Sequence, residues 1–437
     1  MNMQLNLQRA LVLLGSVVAG AAVTTACGSD NTATTPPPTG TGGVAGSAGS
    51  AGSGGSSGTS GMSGTSGVAG SSGSSAGTAG SAGAAQGGSA GSSAGSAGKG
   101  GEAGEAGATS QLVEQMVVET DLSSDQVGVA ASTVAGLQNA WGLAINSDAL
   151  GGPLFWVSAN GTGTSLIYDV AGTAQSLVVT IPTVGDAGTS APTGQFFNPT
   201  TAFKGDKFVF CTEDGTIAGW QTGATAVTRV DQSAASASYK GLAMVTNGST
   251  PMIAAANFFS GKVDVFDTDY APVAGGKFAD PQVPAGFAPF NVVAMDGKVF
   301  VAYAKQDATK SDEVDEVGAG YVSVFNTDGT LASHLLGQGV LNAPWGLAVA
   351  PAGFGDLGGN LLVGNFGDGK VHAYDLATGE MTGQLVKPSG AELVIDGLWA
   401  LAFGPNVATA DLSQQLFFTA GPVDETHGLF GKLTAAQ

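Results

Sequence analysis

Amides and aromatics recur at matching places along residues 139–399 of this chain: Asn139 with Trp141, Asn198, Phe290 with Asn291, Asn342 with Trp345, and Asp396 with Trp399. Brought to one place, such a set would bind a sugar or a peptide, the rings supplying apolar area and the amides direction. The same residue types have a plainer use, because aromatics pack between sheets and Asn side chains cap turns. A second set, Asn160, Asn257, Asp307 and Asn365 with Glu425, lies near the ends of apolar strands. Carboxylate and amide oxygens converging from several elements are what Ca²⁺ requires, although Asn and Asp at strand ends also serve turns. Glu425 and His427 could act as an acid–base pair, but no placed nucleophile accompanies them.

Other chemistries are poorly served. Residues 111–437 have no G-x-S-x-G, the chain has no H-E-x-x-H, P-loop or C-x-x-C, and it has only three histidines and two cysteines, so a zinc site is not expected. Cys211 ends the apolar run Phe208-Val209-Phe210 and reads as core packing. The charged stretch Lys310–Glu316 lacks the alternating acid spacing of a calcium loop and reads as a solvated insertion.

The elements that must position these residues show up as a repeat. Asn139–Ala144 matches Asn342–Ala348, with weaker copies ending at Ala202, Ala243, Val293 and Ala402, spaced by about 50 residues. Each copy is followed by a second apolar strand: Leu154–Ser158, Phe208–Thr212, Met252–Ala256, Val299–Tyr303, Leu361–Gly364 and Leu416–Ala420. A turn rich in Gly, Asn and Asp comes next, then a third strand of alternating polarity ending on an aromatic, as in Val263–Phe266 and Val371–Tyr374. No long stretch carries a capped 3.6-residue period. The pattern predicts an all-β domain over residues 111–437, a six-bladed β-propeller. The last unit supplies one strand too few, so the orphan apolar segment Gln115–Thr120 is expected to pair into it and close the ring.

Several segments carry a family likeness: Asn139–Ala144, Tyr303–Asp307, Gly320–Phe325, Leu341–Ala348, Val363–Gly369, Phe418–Pro422 and His427–Gly431. Through them the chain resembles a family of secreted bacterial six-bladed propellers, distantly similar to NHL-repeat propellers. That resemblance implies the fold and an extracytoplasmic address, and supplies no activity.

The beginning of the chain has a different composition. An apolar run over residues 10–23 follows Arg9 and leads into Thr24-Thr25-Ala26-Cys27, the layout of a signal peptide over residues 1–26. Cys27 after small residues resembles a bacterial lipobox, which implies acylation there, and Gly28 in place of Asp implies sorting to the outer membrane. Cleavage after Ala26 without acylation would instead release a soluble secreted protein. Residues 27–110 are almost wholly Gly, Ser, Ala and Thr, and read as a disordered tether with little to bury.

Lys and Arg number 14 against 34 Asp and Glu, a formal charge of −20 in 437 residues. Nucleic acid is excluded as a partner on that balance. The leading expectation is a binding or scaffold propeller for a protein, peptide or glycan, held on the outer membrane by its lipid anchor. The rival is a Ca²⁺-dependent hydrolase of lactones or esters acting at the propeller channel.

Overall fold

The computed structural model describes residues 111–186 and 189–436. The expected signal peptide, the tether and the acylation at Cys27 lie outside the described residues.

Short antiparallel hairpins follow one another along the chain. Ala140–Asn146, Leu154–Ala159, Thr164–Tyr168 and Ala174–Thr180 form a first sheet in chain order. Pro192–Phe197, Phe208–Thr212, Thr216–Trp220 and Val227–Asp231 form a second, and Tyr239–Asn247, Thr250–Asn257 and Lys262–Phe266 a three-stranded third. Phe287–Met295, Lys298–Lys305, Gly320–Asn326 and Leu331–Gly337 follow in the same way.

The remaining long strands share one sheet. Its path runs from Pro344–Val349 through Leu361–Asn365, Val371–Tyr374 and Met381–Val386 to Val113–Ser124, then on to Leu429–Ala435, Gln415–Ala420 and Leu398–Phe403. Val113–Ser124 is the joint. It pairs antiparallel with the chain's last strand, from Val117 opposite Ala435 to Ser124 opposite Leu429, and parallel with Gly383–Val386 through Val113–Met116. The segment expected over 115–120 is therefore the middle of a longer strand. Val117 is fully buried, while its neighbours Met116 and Val118 are exposed, the alternation of a half-buried strand.

The first strand of each set touches the first strand of the next, and Leu398–Phe403 touches Ala140–Asn146, so the first strands close a ring. The architecture is all-β and propeller-like. Apolar faces of neighbouring sheets meet between them: Trp156 packs with Phe208 and Phe210, Val245 with Val299 and Val301, and Leu362 with Leu398 and Phe418. The predicted second strands all appear, most of them one to three residues longer, as in Lys298–Lys305. Cys211 is fully buried, and burial pushes its thiol up to about 12, the condition of a packing residue.

One repeat assignment is corrected. The copy read at Asn198–Ala202 is not a first strand; that strand is Pro192–Phe197, and Asn198 follows it in a loop. There the Asn198 amide donates to the carbonyls of Ala202 and Asp206, at 3.0 and 2.7 Å. The motif resembled a strand entry because an Asx turn and a strand cap draw on the same residue types.

A shared irregularity aims the side chains at the axis. Every first strand slips register against its second strand near its start: between Ala140 and Leu143, Pro192 and Gln195, Tyr239 and Gly241, Pro289 and Asn291, Pro344 and Gly346, and Leu398 and Leu401. A bulge leaves its extra residue outside the ladder and re-aims it. The residues released are Trp141, Thr193, Lys240, Phe290, Trp345 and Trp399. Next to them the strands approach so closely that a Cβ on Gly142 would collide with Thr193 O, and one on Gly194 with the backbone of Leu242.

Candidate functional site

The bulge residues meet and fill the axis. Trp141 stacks on Trp399 with centroids 3.6 Å apart, Phe366 stacks on the other side of the group at 4.0 Å from Trp399, and Trp345 stands edge-on to both tryptophans at 6.5 and 5.9 Å. Phe290 leans on Trp399 and on Phe258. None of Trp141, Phe290, Trp345 and Trp399 is more than 5% exposed. Two indoles are fixed by hydrogen bonds, Trp345 Nε1 to Lys240 O at 3.0 Å and Trp399 Nε1 to Asn139 Oδ1 at 2.9 Å. Four residues expected to face a ligand thus form a plug and face one another.

Toward the far ends of the first strands, a cavity of about 290 Å³ opens from Trp345 and Asn291. Leu143, Phe196, Met244 and Leu347 are among its walls. Asn291 is spent on the backbone here, its amide donating to Trp345 O and its Oδ1 accepting from Val292 N.

The near end is polar. The connections between second and third strands all emerge there, and they deliver Asn160, Glu213, Asn257, the insertion 307–318, Asp368 and Glu425. Lys240 is the hub. Its side chain is 1% exposed, and Nζ lies 2.5 Å from Glu213 Oε1 and 3.2 Å from Asp312 Oδ1. The same ammonium stands 5.3 Å from the Trp141 ring centre and 5.9 Å from that of Phe258, in cation–π range. Burial acts to lower its pKa, but the charges of Glu213, Asp312 and Glu313 outweigh it and hold Lys240 protonated.

From Lys240 the network crosses the ring. Asn160 donates to Glu213 Oε2 at 3.0 Å, and Asn139 donates to Asn160 Oδ1 at 3.3 Å and to Glu425 Oε2 at 2.7 Å. Glu425 is carried on three successive left-handed residues, Val423, Asp424 and Glu425, with φ of 57°, 52° and 62°. Such a conformation is costly, above all for a β-branched residue. A bond from Val423 N to Asp396 Oδ2 at 2.8 Å helps hold it.

The expected solvated loop Lys310–Glu316 is exposed at Lys310, Ser311, Asp315 and Glu316, but the insertion 307–318 that holds it also makes contacts toward the axis. Asp312 reaches Lys240, Val314 N bonds Lys305 O, and the Gln306 amide donates to Phe258 O at 2.6 Å, so the segment is tied down beside the axis. Glu313 Oε2 is buried without a hydrogen-bond partner. Burial raises the Glu313 carboxyl to about 8; Lys240 works against that, and Glu425, Asp312 and Asp315 add to it. Partial burial, then Glu425 and Asp368, raise Asp315 to about 6.

Of the residues proposed to ligate an ion, Asn160 and Glu425 join this network directly. Asn257 binds Asp264 and Ser260 N, and Asp307 accepts from Thr309 Oγ and Ser311 N as a turn-former. Asn365 donates to Val340 O, and its Oδ1 is buried without a partner, as is Asn342 Oδ1. Among the described residues no group of three or more His, Cys, Asp and Glu is placed to hold a metal ion. Glu425 and His427 are engaged separately, since His427 Nδ1 faces Asp125 Oδ2 at 2.9 Å.

Lys240, Glu213 and Glu313 were not anticipated as site residues. Lys240 was detectable, because in the repeat it occupies the place held elsewhere by Trp141 and Trp399.

No family model matches the chain. Two uncharacterised proteins of Acanthamoeba polyphaga mimivirus are similar to it over 334 residues each, at 30% and 31% identity; these matches cover 72% of this chain and 80% and 85% of theirs. These relatives are viral, whereas the sequence likeness pointed to bacteria. Among solved structures, an aldose sugar dehydrogenase from Escherichia coli is similar at 14% identity and a TM-score of 0.47, over 74% of this chain and all of that one. A virginiamycin B lyase from Staphylococcus aureus is similar at 11% and 0.44, over 74% and all of that chain. On the sequence identity and its extent, the chain belongs to the family of these mimivirus proteins.

Proposed function

We propose that residues 111–437 are a six-bladed propeller serving as an extracytoplasmic binding module, with its ligand seated at the polar end of the ring axis. One observation carries this reading: side chains from four of the connections, Asn160, Glu213, Asp312 and Glu425, converge on the Lys240 network, directly above an axis closed by Trp141, Trp345 and Trp399. Stability alone does not require a left-handed turn to bring Glu425 there, and strain of that kind collects at functional sites. In the same reading Cys27 is acylated, residues 27–110 are a tether, and the head stands off the outer membrane.

Two measurements test it. Labelling with a palmitate analogue in a Gram-negative host should mark the wild-type chain and not Cys27→Ala; equal labelling rejects the anchor. The mature chain, screened against glycan and peptide panels, should retain a ligand whose binding is lost in Asp315→Asn. Turnover of a lactone or ester by the wild type, abolished by chelation, would replace the binding module with the hydrolase.

A further inference from the structure

Among the described residues, more carboxyls than ammonium groups gather at the polar end of the axis. Glu425, Asp312 and Asp315 act on Glu313, Glu425 and Asp368 act on Asp315, and the buried cation Lys240 feels Glu213, Asp312 and Glu313. Lys240 takes Glu213 and Asp312. Glu313 Oε2 is left buried with no donor, although a carboxylate oxygen removed from water demands one.

We propose that this end of the axis binds a primary ammonium group, with Glu313 as its principal acceptor and Asp315 at the rim. This rests on reading the axial end as a binding site.

Lys240 already shows what the surroundings accept. An ammonium is held there by two carboxylates and the faces of Trp141 and Phe258. A second ammonium beside Glu313 would meet the same chemistry: carboxylate acceptors for its three N–H donors, arriving from several loops. A divalent ion asks for something different, six to eight oxygens at 2.3–2.6 Å, about one point, and the described acids are not clustered that way. The acidity of the whole chain, 34 Asp and Glu against 14 Lys and Arg, would draw such a cation in.

Binding should also move a proton. A cation beside Glu313 favours its ionised form, so an amine arriving as the ammonium displaces the proton that burial keeps on the carboxyl. Proton release separates this site from a loose surface attraction of amines to acids.

The test is calorimetry on the mature chain at low ionic strength, at neutral pH, in two buffers of different ionisation enthalpy. The probes are putrescine, for a free amine, and a Gly-Lys-Gly peptide with blocked ends, for a lysyl side chain; the same peptide acetylated on its lysine and Ca²⁺ are the controls. We expect one site per chain for at least one amine probe, release of a fraction of a proton, and no heat from the acetylated peptide. Glu313→Gln should weaken binding at least tenfold and abolish the proton release, and Asp315→Asn should weaken it severalfold. Should Glu313→Gln fail to fold, Asp315→Asn and the wild-type proton count decide alone. Saturable binding without proton release, binding untouched by either variant, or Ca²⁺ in place of the amines overturns the proposal. If neutral glycans or peptides bind and lose affinity in Asp315→Asn while amines do not bind, the ammonium fails and the axial binding site stands. If nothing binds and esters are turned over, both fail.

Discussion

Trp399 lies flat against Trp141, ring centroids 3.6 Å apart and planes inclined by 15°, and its indole Nε1 donates to the side chain of Asn139, two residues before its stacking partner. The pair joins the last first-strand to the first, so it clamps the ring at the point where the strands close on themselves. Trp399→Ala removes a fully buried ring and leaves the Asn139 acceptor without its donor; we expect a loss of about 3–5 kcal/mol in denaturant unfolding. Trp399→Phe keeps the stack and should recover part of it.

Lys240→Met should be costly for a different reason. It takes the ammonium away from Glu213 and Asp312 beside an apolar plug, and removing one partner of a buried pair costs about 3 kcal/mol, at the low end here because both acids are partly exposed. Hydrogen exchange should quicken in residues 307–318, which lose one of their attachments. Adding Asp312→Asn should restore part of the stability.

The closing strand gives a paired test. Val117 is 0% exposed and Val118 44%. Val117→Asp buries an unpaired charge and should cost about 4 kcal/mol or prevent folding, whereas Val118→Asp should stay within about 0.5 kcal/mol of wild type. Equal effects would mean the strand does not seat as described.

Stability should fall on both sides of a mildly acidic optimum. Glu313 has a folded-state pKa above its ordinary 4.5, at about 8, so the native state holds the extra proton between those values; stability is lost as pH rises through the window, by up to about 1.4 kcal/mol per unit. Asp206 is the opposite case. Burial would raise it, but bonds from Arg229, Tyr270 and Gln221 prevail and hold it below 3.8, so its contribution is present above that value and lost as pH falls through the folded pKa. A melting series across pH should show Glu313→Gln flattening the upper limb and Asp206→Asn the lower.

Cys211 should be silent in the native state. With its thiol buried and raised to about 12, maleimide should label it only after denaturant unfolds the chain.

Much of this architecture was legible in the residues. Phe208–Thr212 could be read as a strand to the residue, because its apolar run is bounded by turn-formers. Gln115–Thr120 could be assigned to the terminal sheet because the last unit lacked a strand. Pro192–Phe197 could not. Its buried positions hold Thr193 and Gln195, which look like loop residues until Gln195 Nε2 is seen donating to Gly142 O and Trp156 O. The site was half legible. The aromatics Trp141, Phe290, Trp345 and Trp399 announced that they belong together, but only packing decides that they face inward and leave no open stack. The run around Asp312 is largely solvated, as a charged stretch usually is, but the pairing of Asp312 was hidden, because its partner Lys240 lies far away in sequence. Pairing of distant charges leaves no local pattern to read.

The strand Val113–Ser124 has a consequence for how the molecule is made. It leaves the ribosome ahead of everything it binds, and its long antiparallel partner, Leu429–Ala435, comes last; the hydroxyl of Ser124 waits 304 residues for the carbonyl of Gly428. Until then the edge that takes Leu429–Ala435 stands open, an invitation to pair with another nascent chain. Final assembly therefore waits for the far end of the domain and is a step of high contact order and slow rate. Crowding of newly made copies should be the chief hazard to yield, and dilution or a holdase that shields bare strand edges the remedy.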